Sequence, residues 1–174
     1  MKFSRKEFLK FLGLGVIFSR IPQAFAMPSE KMEEAKASTK KMKIREVEIY
    51  YFGIALLEPF TISLGTVTSS NGILVRVLTD SGIAGIGESC PFQPITGETQ
   101  ETNILVGKNL REMIRGKDPL AIESILKEFG AFVHTNPGIV AAFDMALYDI
   151  LGKVASLPLF RLLGGDKTTF ETDI

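Results

Sequence analysis

The chain has 174 residues, 45% of them hydrophobic and 23% charged, and its formal net charge is zero. That balance is ordinary for a globular protein and lacks the basic excess that nucleic-acid binding requires, so no nucleic-acid partner is expected. A single cysteine, Cys90, rules out an intramolecular disulfide, and the fold has to hold by packing alone.

The N-terminus reads as an address. Lys2, Arg5, Lys6, Lys10 and Arg20 stand against a single anion, Glu7. The apolar run from Phe11 to Phe18 follows, then Ala24-Phe25-Ala26, a small-residue cleavage pattern. A positive region, a short apolar stretch and such a site make a signal peptide, expected over 1–26. The run is too short for a permanent membrane anchor. Ser4-Arg5-Lys6-Glu7-Phe8-Leu9-Lys10 resembles a twin-arginine signal with Lys6 in the second arginine's place; a general secretory signal is the other reading. Either implies an exported protein, periplasmic or extracellular. Residues 27–42, rich in Lys, Glu, Ser and Ala, read as a solvated linker. Lys41-Met42-Lys43 is taken as linker charge.

Strand patterns come next. Lys43 to Tyr51 alternates Ile44, Val47 and Ile49 with charged residues, and Gly72 to Thr79 is rich in β-branched residues. Asp80-Ser81-Gly82 is a turn signal, and Ile83 to Glu88 follows directly, so these runs predict an antiparallel meander. Helical spacing then takes over. Gly97 to Arg115 carries Ile104, Leu105, Leu110, Met113 and Ile114; Asp118-Pro119 signals a start before Leu120, Ile122, Ile125, Leu126 and Phe129. Asn136-Pro137 repeats that signal ahead of Val140, Phe143, Ala146, Leu147, Ile150 and Leu151. A last short helix runs from Pro158 to Gly164-Gly165. Strands followed by helices imply an α+β fold, a three-stranded antiparallel meander with a helical bundle on one face.

The chemistry-bearing residue types have plain structural readings. His134, the sole histidine, has no partner ligands and sits beside a helix start. Asp144 and Asp149, five apart, do not share one helix face and are expected to bond backbone or barrel loops rather than pair on a metal. Gly85 and Gly87 are expected to permit close backbone packing, since no helix follows them directly. Cys90 is read as a small hydrophobe.

One string is more specific. Ala141-Ala142-Phe143-Asp144-Met145-Ala146-Leu147-Tyr148-Asp149, then Leu151-Gly152-Lys153, Leu157-Pro158-Leu159-Phe160 and Leu162-Leu163-Gly164-Gly165, resembles the end of the capping domain in the muconate-lactonizing and mandelate-racemase branch of the enolase superfamily. Asp80-Ser81-Gly82 through Gly85-Ile86-Gly87-Glu88, with Pro91 and Ile95-Thr96-Gly97-Glu98, resembles the dipeptide-epimerase version. The resemblance implies a capping domain over 43–168 and, at 169–174, the opening of a (β/α)8 barrel that is otherwise missing. It implies a barrel that binds Mg2+ and moves a proton at the carbon beside a carboxylate, so the catalytic and metal residues are expected outside this chain. A muconate-type cycloisomerase or an N-acyl amino-acid racemase is the neighbouring implication, and a non-catalytic exported binding module is the reading from another class.

The same resemblance implies two substrate-selecting loops, Leu57–Ser69 and Ser89–Glu98, and family-like homo-oligomers. Phe60 and Ile62 would form an apolar wall, or else simply pack their loop on the sheet; Thr61 and Thr96 would offer hydroxyls, and Ile95 would line the second loop. Gly65 stands where some relatives carry an arginine for an anionic side chain, which leaves hydrophobic or mixed dipeptides, or another small carboxylate, as the expected substrate. Glu88 is read as a hydrogen-bonding residue at the contact between cap and barrel.

Overall fold

The computed structural model describes residues 41–166, 168, 169 and 171. The expected signal peptide, most of the linker and most of the expected barrel opening lie outside the described residues. Three strands, β1 (Ile44–Ile62), β2 (Gly65–Thr79) and β3 (Ala84–Ser89), form one antiparallel sheet in the order β1-β2-β3. Among the described residues five helices follow: α1 (Gln93–Thr96), α2 (Gln100–Ile114), α3 (Ile122–Phe132), α4 (Pro137–Ala155) and α5 (Leu159–Leu162). None of the helices among the described residues is long and apolar enough to cross a membrane.

Alternation decides which sheet face is covered. In β2, Ile73, Val75 and Val77 point to the helices and are fully buried. In β1 the corresponding residues are Ile44 and Val47, three apart, and a register shift between Ile44 and Glu46 lets both face inward. Leu110 and Ile114 of α2, Ile125 and Phe129 of α3, and Ile139, Phe143, Leu147 and Ile150 of α4 complete the core. The Phe129 and Phe143 rings meet edge to face, 5.4 Å between centroids. Met42, in the expected linker, packs partly buried against this cluster.

Two glycines set how closely α4 approaches the sheet. A Cβ on Gly85 would lie 2.0 Å from the Ala146 carbonyl oxygen, and one on Gly87 would lie 1.9 Å from that of Ala142. The helix backbone therefore rests directly on β3, and the expectation of close packing holds. The contact also deals with the outer edge of β3. Asp149 Oδ2 accepts the Ile86 N–H at 2.9 Å and Lys153 Nζ donates to the Ala84 carbonyl at 2.7 Å. Asp149 thus bonds backbone, as expected. Asp144 does not: its Oδ1 is buried with no partner among the described residues, and burial first, then the Glu123 charge, pushes its pKa up.

Two expectations are corrected. The segment read as a long first loop, Leu57–Ser69, is the far half of the β1–β2 hairpin, closed by Ser63 and Leu64. Its sequence misleads because a second register shift, between Ala55 and Phe60, spans Pro59, which has no N–H for a regular ladder. Asp118-Pro119 does not open α3. Asp118 Oδ1 instead accepts the Leu120 N–H at 2.9 Å in a turn, and the helix begins at Ile122.

Replacing Gly85 by alanine forces the new methyl into the α4 backbone, and the expected loss is about 3 kcal/mol or more. Urea denaturation of the wild-type and Gly85→Ala chains measures it; a loss within experimental error would mean that α4 moves freely off β3.

Candidate functional site

β3 stops at Ser89, which lies opposite Ile73, while β1 and β2 continue past that point as a two-stranded arm ending at Ile62 and Gly65. The chain leaving Ser89 forms the segment Cys90–Glu98, with the single turn α1 at its centre. The register therefore puts both expected substrate-selecting segments at the same end of the sheet.

On the arm, cross-strand pairing assigns the faces. Phe60 pairs with Val67, Thr61 with Thr66 and Ile62 with Gly65. Phe60, Ile62 and Val67 thus share one face, continuous with the helix-facing side of the sheet. Phe60 is 59% exposed and Ile62 half-buried, so an apolar wall is presented. Thr61 is on the opposite face with its hydroxyl 2.9 Å from that of Thr66, so it does not join that wall. Gly65 sits at the tip with φ 137°, a backbone conformation that favours glycine. An arginine there would be strained in this turn.

In the second segment, Ile95 is 67% exposed on α1. The Thr96 hydroxyl donates to the Phe92 carbonyl at 3.1 Å and accepts from the Glu98 N–H at 3.3 Å, so it is engaged within the turn. Gly97 reverses the chain with φ 73°. Glu98 then turns inward and is 3% exposed.

A buried polar cluster holds this segment from below. Glu98 Oε1 accepts the Gly138 N–H at 2.9 Å, so a carboxylate remote in sequence caps the start of α4. Asn136 precedes that helix with φ 61° and makes no side-chain cap of its own. Its amide nitrogen donates instead to Asn103 Oδ1 at 3.0 Å, and Asn103 Nδ2 donates to the Ser89 hydroxyl at 2.9 Å. Asn103 and Ser89 are buried and mutually satisfied. Thr99 opens α2 with a capping box to Thr102. Sequence reasoning passed over Ser89, Asn103 and Asn136 as a group. The available signal was a polar residue at the core spacing of α2, where Asn103, Gly107, Leu110 and Ile114 share the buried face.

Among the described residues no group of three or more His, Cys, Asp or Glu side chains is placed to hold a metal ion. His134 is exposed in the bend before α4. Glu88 is exposed and accepts a hydrogen bond from the Cys90 thiol at 3.0 Å. Cys90 is exposed rather than a packed hydrophobe, which corrects the expectation. The hydrogen bond to Glu88, then burial, then the carboxylate charge push its pKa up to about 11. What the site offers is apolar surface on two segments, held in place by buried polar bonds.

The Glu88 carboxylate, chiefly through the hydrogen bond it accepts, suppresses the Cys90 thiolate, so Glu88→Ala is expected to lower the thiol pKa and to speed alkylation at about pH 8.5 by roughly tenfold or more. Timed iodoacetamide labelling measures the rate; equal rates would remove Glu88 as the cause.

Residues 44–164 match the family described as mandelate racemase / muconate lactonizing enzyme, N-terminal domain. D-Ala-D/L-Ala epimerase of Cytophaga hutchinsonii is 42% identical over 126 residues, covering 72% of this chain and 34% of the relative. The dipeptide epimerase from that organism, solved with Mg and D-Ala-L-Val, superposes with a TM-score of 0.71 at 41% identity, over 73% of this chain and 34% of that one. The substrate-liganded L-Ala-D/L-Glu epimerase of Bacillus subtilis gives a TM-score of 0.72 at 34% identity, over 75% and 37%. N-succinyl-L-Arg/Lys racemase of Bacillus cereus is 34% identical over 125 residues, 71% of this chain and 34% of its own length. The chain thus spans about a third of the length of these relatives. Its meander, its helices and its matching stretch together place it in the mandelate racemase / muconate lactonizing enzyme family of the enolase superfamily, as an N-terminal domain close to those of the dipeptide epimerases.

Proposed function

We propose that this chain is the substrate-selecting cap of a Mg2+-dependent dipeptide epimerase that moves a proton at the carbon beside a carboxylate. The observation that carries the reading is the pair of apolar segments, Phe60–Ile62 on the arm and Ile95 on α1, at one end of a domain similar to those of dipeptide epimerases. The catalytic base, the returning acid and the Mg2+ ligands belong to a barrel outside the described residues. Mg2+ would stabilise the charge that forms when the proton leaves. The residues of this chain bind and orient the substrate and keep water from the reacting carbon.

The side-chain chemistry of the arm favours apolar dipeptides. Phe60 and Ile62 face the same side, and Gly65 supplies no cation for an acidic side chain. Racemisation of an N-acyl amino acid is the second reading, drawn from the similarity to the N-succinyl amino-acid racemase. A muconate-type cycloisomerase or a non-catalytic binding module would share the fold but not the dipeptide chemistry.

Incubating a barrel-bearing form of this protein with a dipeptide library and Mg2+ in heavy water separates these readings. Deuterium at the α-carbon of apolar dipeptides, with loss of stereochemical purity, is the expected outcome, and Phe60→Ala should raise KM roughly tenfold while kcat changes little. Exchange only in N-acyl amino acids, or none with any substrate, would overturn the reading.

Export is part of the proposal. It rests on the charged start, the apolar run Phe11 to Phe18 and the Ala24-Phe25-Ala26 pattern. Sequencing the N-terminus of the protein from a producing cell should give Met27 in the exported fraction. A chain that keeps residues 1–26 in the cytoplasm would contradict it.

A further inference from the structure

Among the described residues the arm has no third strand. Beyond the Ile73–Ser89 pair, β1 and β2 have only each other, and a two-stranded hairpin is marginal in water. Its direction therefore depends on what grips its base, and among the described residues one side chain bonds both strands there. Gln100 Nε2 donates to the Phe52 carbonyl at 2.8 Å and to the Gly72 carbonyl at 2.9 Å. Phe52 and Gly72 are the cross-strand pair just past the end of β3. The amide thus bridges β1 and β2 at that pair, with one carbonyl of each strand accepting from it.

The other end of that tie is firm. Gln100 is the first residue of α2, directly after the Thr99 capping box and the buried Glu98 that holds the start of α4. The Phe52 ring covers Gly72 so closely that a Cβ there would lie 2.3 Å from Cζ, which leaves this base little room to adjust. One side chain consequently links the base of the arm to the end of the Cys90–Glu98 segment.

We propose that Gln100 is a positioning residue whose amide fixes the direction of the β1–β2 arm against the Cys90–Glu98 segment, so that their apolar surfaces meet a substrate side chain as one unit. The coupling is a property of this chain. Its consequence for specificity rests on the proposed function.

Amide hydrogen exchange on the full 174-residue chain tests it. Gln100→Met removes both donors while keeping length and apolar bulk. Gln100→Glu keeps the shape but sets a carboxylate against two carbonyls, so a defect in one variant's folding leaves the other as a test. Arm amides between Ile54 and Ser69 should exchange roughly 5- to 100-fold faster in both, with the amides of α3 and α4 within about twofold of wild type. An unchanged arm overturns the proposal, as does an equal acceleration in α3 and α4, which would make Gln100 a general stability residue. In the barrel-bearing enzyme, Gln100→Met should raise KM for an apolar dipeptide and leave kcat near wild type. Faster arm exchange in a protein that turns over no dipeptide would sustain the coupling and count against the proposed function instead.

Discussion

The backbone of α4 rests on β3 because Gly85 and Gly87 leave no side chains between them. Most of the domain follows from that contact. A helix brought this near a strand puts Phe143, Ala146, Leu147 and Ile150 against Ile73, Val75 and Val77, and interior density is reached with few large side chains. The same approach brings Asp149 and Lys153 within reach of the outer edge of β3, so the strand is closed by side chains rather than by another strand. The short third strand is thereby protected from pairing with another chain.

The contact also fixes where α4 begins, and the start of α4 is where the candidate site is anchored. Glu98 reaches its first turn through the Gly138 N–H. Gly138 is as necessary as Glu98, because a Cβ there would lie 2.8 Å from the Ser89 hydroxyl and about as close to the carboxylate. Ser89, Asn103 and Asn136 extend the network, each bond satisfying a group that would otherwise be stranded in the interior. The candidate site's surface is exposed and apolar, while its supports are buried and polar. Such supports specify direction, which apolar contact alone does not.

The arm is the exception to this economy. It carries the exposed apolar residues Leu57 and Phe60 on β1 and Leu64 in its turn, with no third strand among the described residues. The Gln100 amide reaches it at its base, where it bonds a carbonyl of each strand.

Much of the architecture was legible in the residues. Alternation in β2, the Asp80-Ser81-Gly82 turn and the helical spacing of Phe143, Ala146, Leu147 and Ile150 depend on local periodicity, and local periodicity is what a sequence displays. Gly85 and Gly87 were readable as a close approach for the same reason. The family was legible through the string from Ala141 to Gly165, which the similarity to the mandelate racemase / muconate lactonizing enzyme family bears out. Other features were decided only by the tertiary structure. The arm looked like a loop because Pro59 and the Gly, Ser and Thr around it hide a ladder whose partner strand supplies the order. Thr61 and Phe60 are adjacent in sequence but face opposite ways once paired. Glu98 caps a helix 40 residues away, and Gln100 ties strands 48 and 28 residues away. Those bonds depend on distances that exist only after the core has closed, and no local pattern in the sequence carries them.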